Sequence, residues 1–348
     1  MASSMSLPPR KDTFLTVFSK HQLRPNPKPP MDHVSVTGQT VVITGGNVGI
    51  GLECGRLLLS RGLSRLILGV RSPQKGEDAV LSLRKAYPKA SIDIWHLDLN
   101  SYDSIRAFSR KCNELTRLDV AIMSAGIMNS EFRATPSTGH EEQFQVNYLS
   151  AALLGLLLLP ALKKNNPDRS PGRLTFVASG AALIAEFAER NEDPLIPAFD
   201  KSEGWNSSSA KKRYDTSKGL VLMLTHKLSQ ITKSEDTVVN VVDPSFTPGT
   251  SFFRSMPWIV RVLTWPLTAL LGTSVNNAAW RYIDTAVSRG QSSHGSFISD
   301  WEVSPYNAFM YTEEGKAFME KLWKETVAEL DFPEVREVLR SLEMKPVA

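Results

Sequence analysis

Short, almost continuously apolar segments rich in Val, Ile and Leu alternate along this chain with longer segments of mixed polarity. The short segments are typical of buried strands, and the longer ones between them are predicted as helices. The predicted strands are 39–44, 66–70, 92–97, 120–124, 174–178, 238–242 and 296–298. The predicted helices are 50–61, 78–86, 101–115, 142–162 and one that carries Tyr214. Strands of this kind separated by helices indicate an α/β fold with a doubly wound parallel sheet, the Rossmann fold.

The N-terminus and two internal segments depart from this pattern. Residues 1–36 contain four prolines between positions 25 and 30, which discourage helix and sheet, so we predict a flexible N-terminal tail. Residues 37–348 are expected to form a single domain with a C-terminal extension. Within it we expect an insertion at about 183–210 and an apolar lid at about 252–275. A dimer surface and membrane-surface contact are the alternatives for the apolar segment.

Composition and charge narrow the class of protein. The 348-residue chain is 42% hydrophobic, as globular proteins are, and its net charge of +4 gives no reason to expect nucleic-acid binding. Cys54 and Cys112 are interpreted as buried small hydrophobes, and the six histidines show no ligand spacing, so we expect no metal site and a reducing, cytoplasmic location. No secretory signal is visible in residues 1–20, and the apolar segment 149–162 is shorter than the roughly 20 residues that span a bilayer.

The first strand runs into a glycine-rich bend, Thr44-Gly45-Gly46-Asn47-Val48-Gly49-Ile50-Gly51, that opens the first helix. Glycines permit a left-handed backbone and remove the Cβ atoms that would hold a phosphate away. The start of the helix offers free N–H groups and the positive end of the helix dipole to a pyrophosphate. The bend therefore predicts a dinucleotide site. Its candidate contacts are Thr44, Gly45, Asn47, Gly49, Ile50 and Gly51.

The end of the second strand indicates which dinucleotide binds. An acidic residue at this point would bind a ribose hydroxyl and select NAD. The chain instead has Arg71, followed by Ser72. Because a guanidinium can bind a 2′-phosphate through two parallel hydrogen bonds, we predict NADP(H) as the cofactor.

Tyr214 and Lys218 stand four residues apart, which on a helix places them on the same face. A free tyrosine has a pKa of about 10 and is poorly matched to proton transfer at neutral pH. A neighbouring ammonium stabilises the phenolate, so we expect Lys218 to lower the pKa of Tyr214 toward the range useful for general acid–base catalysis.

These motifs, in this order, resemble those of the short-chain dehydrogenase/reductase family over about residues 40–300. The resemblance implies that Tyr214 is the general acid or base and that Lys218 also binds the nicotinamide ribose. Ser179, just after the fifth strand, would polarise the substrate carbonyl. Asn147, on the long helix, would hold a water that relays protons to Lys218.

The resemblance also implies further cofactor contacts. Asp98 would lie beside the adenine, and Ser124-Ala125-Gly126 matches the Asn-Ala-Gly stretch of the family with one change. Pro244-Ser245 stands where the family usually has Pro-Gly. The run 244–254 looks most like the retinol dehydrogenase and protochlorophyllide reductase branch, on which Pro244 and Thr250 would contact the cofactor.

Together these residues predict an NADP(H)-dependent oxidoreductase that interconverts a ketone or aldehyde and an alcohol on a lipophilic small molecule, such as a secondary-metabolite intermediate. The alternatives are an epimerase, dehydratase or enoyl reductase on the same fold, or a non-catalytic NADP-binding protein. The long separation of Ser179 from Tyr214 predicts that the insertion walls one side of the substrate site. Helix 142–162 is apolar almost all round, so it is either a homodimer surface or is covered within a monomer.

Overall fold

The computed structural model describes residues 3–13, 16–17, 34–164, 170–248 and 272–343. Within these ranges, eight strands form one sheet in the order β3-β2-β1-β4-β5-β6-β7-β8. All neighbouring strands are parallel except β7 and β8. The strands are β1 (Thr40–Thr44), β2 (Arg65–Val70), β3 (Ser91–His96), β4 (Val120–Met123), β5 (Gly172–Val177), β6 (Thr237–Val242), β7 (Ser296–Ser299) and β8 (Glu302–Ser304). The direction of winding reverses between β1 and β4, which is the switch point of a Rossmann sheet.

Helices cover both faces of the sheet, so the central strands are buried on both sides. The helices are α1 (Gly49–Ser60), α2 (Pro73–Ala86), α3 (Tyr102–Asn113), α4 (Glu142–Phe144), α5 (Ser150–Lys164), α6 (Leu195–Ala198), α7 (Ser207–Ile231), α8 (Val275–Ile283), α9 (Glu313–Glu329) and α10 (Pro333–Glu343). One apolar core lies between the sheet and α1, α2 and α8. The other lies between the sheet and α3, α5, α7, α9 and α10. The two cores confirm the predicted α/β fold with a doubly wound sheet.

The predicted strands agree with the structure to within two residues at each end. The helix predicted at 78–86 begins earlier, at Pro73, because proline is well suited to the first position of a helix. The edge strand β8 was not predicted, and it makes the sheet mixed rather than wholly parallel.

The prediction of a flexible tail over residues 1–36 is wrong for the part of that segment that the structure places against the body. Ser4 is fully buried. Its hydroxyl donates to Ser304 O at 2.6 Å and accepts from Phe297 N at 2.7 Å. Val34 and Val36 are buried in the core. The Ser4 bonds join the N-terminus to β7 and β8, whereas Val34 and Val36 belong to the core beside α1 and α2. No local sequence signal encodes these contacts.

The long apolar helix lies inside the protein. Residues Glu142–Lys163 are long and apolar enough to cross a membrane by composition, but 89% of the most apolar window is buried within the fold. Helices α3 and α10 pack on α5, and Tyr148 pairs with Thr326 of α9 at 2.8 Å. The C-terminal extension thus covers this helix, as one of the two alternatives predicted. Most of the predicted lid at 252–275 lies outside the described residues.

Candidate active site

The carboxyl ends of β1, β4, β5 and β6 meet at one edge of the sheet, because these strands are parallel neighbours. This edge brings together most of the residues predicted from sequence. The hydroxyl of Thr44, at the end of β1, accepts from the backbone N–H of Ala125 at 3.0 Å. This bond joins the glycine bend to the segment that follows β4. The switch point of the sheet is therefore also where the predicted cofactor residues converge.

Glycines allow the bend to pack closely against the neighbouring strands. A Cβ on Gly45 would lie 3.1 Å from Ala125 Cα, and one on Gly51 would lie 3.1 Å from Gly46 Cα. Gly45 and Gly49 have φ values of 66° and 59°, in the left-handed region that favours glycine. Asn47 and Ile50 are half-buried beside them. The first turn of α1 carries neither a side-chain cap nor an acidic residue, so its N–H groups and positive dipole end suit a pyrophosphate.

Arg71 and Asp98 follow β2 and β3 at the same edge of the sheet. Arg71 is exposed, and no ion-pair partner for it occurs in the part of the chain that the structure describes. Asp98 is half-buried; its carboxylate accepts from Asn100 N at 3.0 Å, and its own N–H donates to Ser104 Oγ at 2.9 Å. Arg71 is thus free to bind an anion, whereas Asp98 is fixed within its own turn.

Ser179, Tyr214 and Lys218 lie at the centre of the site. The hydroxyl of Ser179, which caps a 3₁₀ turn, accepts from Ala181 N at 3.2 Å and is hydrogen-bonded to the half-buried Tyr214. Both Tyr214 and Lys218 are on α7. The Lys218 ammonium lies 5.8 Å from the centre of the Tyr214 ring and donates to Val177 O, at the end of β5, at 2.9 Å. The predicted pair therefore faces the same side of the helix.

The expectation that Lys218 lowers the pKa of Tyr214 is wrong for the protein without its ligands. Desolvation by the surrounding residues raises the pKa of Tyr214 above its usual value, and the hydrogen bond from Ser179 offsets only part of this effect. Burial lowers the pKa of Lys218 to about 8. Both groups are shifted toward their neutral forms because each has lost water, and the ammonium donates to a backbone carbonyl rather than to the phenol.

Asn147 lies in a π-helical turn, Gln145–Leu149, between α4 and α5. Its side-chain oxygen accepts from Ile127 N at 2.9 Å, and its amide donates to Ile127 O at 2.9 Å and to Ser217 Oγ at 3.0 Å. These bonds occupy the side chain, so its observed task is to fix the chain after β4 against α7. Asn147 and Lys218 also border a small cavity with room for a water-sized molecule. The predicted water relay stays a prediction.

Gly126 allows these groups to meet. A Cβ at this position would lie 3.1 Å from Lys218 Nζ and 3.2 Å from Asn147 Oδ1. The residue is exposed toward the site. The close approach of an ammonium and an amide explains why a side chain is absent here.

Two departures from the family pattern have structural counterparts that sequence reasoning missed. Ser124 donates to the hydroxyl of Tyr282 on α8 at 3.3 Å, and no signal in the sequence singles out this tyrosine. Ser245 adopts φ of 66°, so the serine takes the left-handed conformation for which glycine is preferred. Pro244 is half-buried beside it. Thr250 lies outside the described residues, and the assignment to the retinol dehydrogenase branch stays a prediction.

Comparisons with known proteins show the family of this chain and agree with its fold. The model of the short chain dehydrogenase family matches residues 39–189. The chain is 42% identical over 344 residues to short chain dehydrogenase/reductase mfmJ of Annulohypoxylon moriforme, covering 98% of this chain and 99% of that protein. It is 39% identical over 317 residues to short chain dehydrogenase virL of Hypocrea virens, covering 91% and 92%. The NADP complex of RhlG from Pseudomonas aeruginosa shares the fold, with a TM-score of 0.58, 22% identity and coverage of 81% and 100%. The chain belongs to the short-chain dehydrogenase/reductase family.

Proposed function

We propose that this protein is an NADP(H)-dependent oxidoreductase that interconverts a ketone or aldehyde and an alcohol on a lipophilic small molecule. The observation that carries the proposal is the hydrogen-bonded pair Ser179 and Tyr214, with the Lys218 ammonium close by, at the sheet edge that also carries the glycine bend. A bound nicotinamide cofactor supplies hydride chemistry. The residues of the chain would bind and orient the reactants and move one proton.

Each of the three side chains has a distinct role in this proposal. Tyr214 gives its phenolic proton to the oxygen of the carbonyl as that oxygen becomes an alcohol, and takes it back in the reverse direction. The Ser179 hydroxyl, which bonds to Tyr214 in the protein without ligands, would turn its single proton to the same oxygen and stabilise the charge that develops there. Lys218, with a pKa of about 8, is mainly an ammonium at neutral pH. Its charge stabilises the phenolate that Tyr214 becomes when it has given up its proton.

The choice of NADP(H) rests on Arg71, an exposed cation at the end of β2 where an acidic residue would favour NAD. Two proteins of the same fold support it by their descriptions: the RhlG complex contains NADP, and a 3-quinuclidinone reductase from Rhodotorula rubra (TM-score 0.57) is described as NADPH-dependent. Replacing Arg71 with Asp should weaken NADPH binding by at least about 1–3 kcal/mol, the usual size of a charge-assisted pair, because the new carboxylate also repels the 2′-phosphate. NADH binding should become stronger, because the carboxylate can accept from the ribose hydroxyl. An unchanged ratio of the two affinities would refute the assignment.

Several further expectations accompany this proposal. We propose a lipophilic substrate, such as a secondary-metabolite intermediate, bound between the insertion and the apolar segment 252–275. The two cysteines are free and buried, which fits a reducing, cytoplasmic compartment. Membrane-surface contact through the apolar segment, and a homodimer as opposed to a monomer, remain alternatives to be tested by vesicle flotation and by the mass of the protein in solution.

Replacing Tyr214 with Phe tests the catalytic role. It removes one hydroxyl and should lower kcat by about a hundredfold or more, because general acid catalysis typically contributes that much, while NADPH still binds. Tyr306→Phe is a matched control, because it also removes the hydroxyl of a buried tyrosine. That hydroxyl donates to Gly295 O at 3.0 Å, at the amino end of β7, whereas the active site lies at the carboxyl ends of the parallel strands. Turnover of a substrate without net consumption of NADPH would favour an epimerase or dehydratase. NADPH binding with no turnover on any substrate would favour a non-catalytic protein.

A further inference from the structure

The insertion between Ser179 and α7 is held by one face of the C-terminal helix α9. Residues 314, 321, 325 and 329 are spaced by seven, four and four positions, so they lie on one face of this helix. Each of these side chains contacts the insertion or the residues bound to it. The contacts are Glu314 with Arg190 at 2.9 Å, Lys321 with Asp193 at 3.0 Å, Glu325 with Leu195 N at 2.8 Å and Glu329 with His140 at 3.1 Å.

Glu325 makes the most directional of these contacts. Its carboxylate accepts from Leu195 N at 2.8 and 3.0 Å and from Ile196 N at 2.9 Å, at the start of α6. These N–H groups have no partner within so short a helix, and a carboxylate there is stabilised by charge-assisted bonds and by the helix dipole. Glu325 thus determines where α6 begins.

The residues that follow α6 lie between two helices of the active site. Phe199 is fully buried, and its ring stacks on Phe144 with 4.4 Å between ring centres. The guanidinium of Arg213 lies 5.0 Å from the centre of the same ring. Phe144 directly precedes the π-helical turn that holds Asn147, and Arg213 directly precedes Tyr214. One aromatic ring of the insertion therefore contacts both helices just before the point where Asn147 bonds directly to Ser217.

Asp200, directly after Phe199, binds the insertion to the start of α4. Its carboxylate accepts from Glu141 N at 2.8 Å and pairs with His140 Nδ1 at 2.8 Å. The second ring nitrogen of His140 contacts Glu329 of α9. The insertion is thus bound both to α9 and to the start of α4, on either side of Phe199.

We propose that residues 195–200 act as a wedge that sets the separation of the Asn147 helix from the Tyr214 and Lys218 helix, and that Glu325 is a positioning residue for the reaction. This inference rests on the proposed function. Among the described residues, the Glu325 carboxylate is hydrogen-bonded to the start of α6 and to no catalytic group, so its effect on the catalytic groups passes through α6 and Phe199. Since a displacement of about 1 Å can cost a hundredfold in rate, a small shift of the wedge lowers turnover without removing any catalytic atom.

The test compares Glu325→Ala and Glu325→Gln with Glu313→Ala, a control on the same helix whose side chain is 92% exposed. In Glu325→Ala we expect kcat to fall by about tenfold or more, with the KM for NADPH within about twofold of wild type. Glu325→Gln keeps an acceptor oxygen and should recover part of the loss. Hydrogen exchange is the second readout: amides 141–150 and 207–218 should exchange faster in Glu325→Ala than in Glu313→Ala.

Two outcomes would overturn the inference. One is a Glu325→Ala protein that has a lower melting temperature than wild type but the same kcat when assayed well below that temperature. The other is faster exchange confined to 190–200, with the two catalytic helices unchanged. A wild-type protein that turns over no carbonyl substrate with NADPH would instead refute the proposed function, and the exchange measurement would still decide on the wedge.

Discussion

Replacing Lys218 with Met should stabilise the protein without its cofactor at neutral pH, and the gain should shrink as the pH rises. Lys218 is 5% exposed, and no carboxylate pairs with it in the described part of the chain. Burial lowers its pKa to about 8, whereas an unfolded chain gives lysine a pKa of about 10.4. The folded protein therefore holds the lysine proton less tightly than the unfolded chain, and keeping that proton costs stability.

The size of the effect follows from this difference in pKa. At pH 7 both states are protonated, and a shift of more than two pH units corresponds to a cost of about 3 kcal/mol. As the pH rises above the folded pKa, the folded state releases its proton first, so stability increases with pH in this window. At about pH 9.5 the remaining cost is about 1 kcal/mol. The advantage of Lys218→Met over wild type should therefore fall by about 2 kcal/mol between these two pH values.

Urea unfolding of both proteins at the two pH values measures this change. Differences in packing between Lys and Met, and the loss of the bond to Val177 O, are the same at both pH values and cancel in the comparison. Lys316→Met on the exposed face of α9 controls for the loss of a lysine that stays in water. An advantage that does not change with pH would show that the pKa of Lys218 is the same in the folded and unfolded protein, and the argument that burial penalises its charge would fail.

Two further predictions follow from individual contacts. Burial alone would lower the pKa of His140, but its bonds to Asp200 and Glu329 prevail and raise it to about 9. The stability that the protonated His140 contributes is complete below the unfolded pKa of about 6.5 and is lost as the pH rises through 9. His140→Gln should therefore destabilise most at low pH, and a destabilisation by urea unfolding that grows toward pH 9 would contradict the pairing. Gly126→Ala should lower kcat/KM by about tenfold with little change in unfolding, because its Cβ would lie 3.1 Å from Lys218 Nζ; Gly290→Ala, with open space around it, is the control, and equal activity of the two variants would argue against close packing in the site.

Local signals were sufficient to predict the seven parallel strands of the sheet, the glycine bend and the pair Tyr214 and Lys218. Central strands such as β1 and β4 are buried along their whole length and are almost wholly apolar, so their position and length are visible in a window of a few residues. The glycine bend and the spacing of Tyr214 and Lys218 are likewise local patterns, and the Rossmann topology brings them to one edge. Local patterns thus indicated Thr44, Tyr214 and Lys218, whereas the family resemblance supplied Gly126 and Ser179. In the structure these residues lie at the same edge of the sheet.

Contacts between distant segments were not predictable in this way. The docking of Ser4 on β7 and β8 joins residues about 300 positions apart. The hydrogen bond between Ser124 and Tyr282 joins the residue after β4 to α8, and these two segments share no sequence motif. The sequence predicted an insertion at about 183–210, but nothing in it showed that Phe199 would lie between Phe144 and Arg213. Such pairings depend on the completed fold, in which burial decides which polar groups must find a partner.

The direction of the two pKa shifts in the site determines the order in which its groups lose their protons. Desolvation raises the pKa of Tyr214 and lowers that of Lys218 to about 8, so on increasing the pH the lysine deprotonates first. At neutral pH the phenol is therefore fully protonated and the ammonium largely so, which is the pair of states that the proposed reduction of a carbonyl requires. Oxidation of an alcohol needs the phenolate, which the unliganded protein disfavours. The environment of the site thus favours proton donation by Tyr214. We therefore expect kcat/KM for reduction to fall as the pH rises past about 8, because Lys218 loses its charge there, and not because the tyrosine ionises.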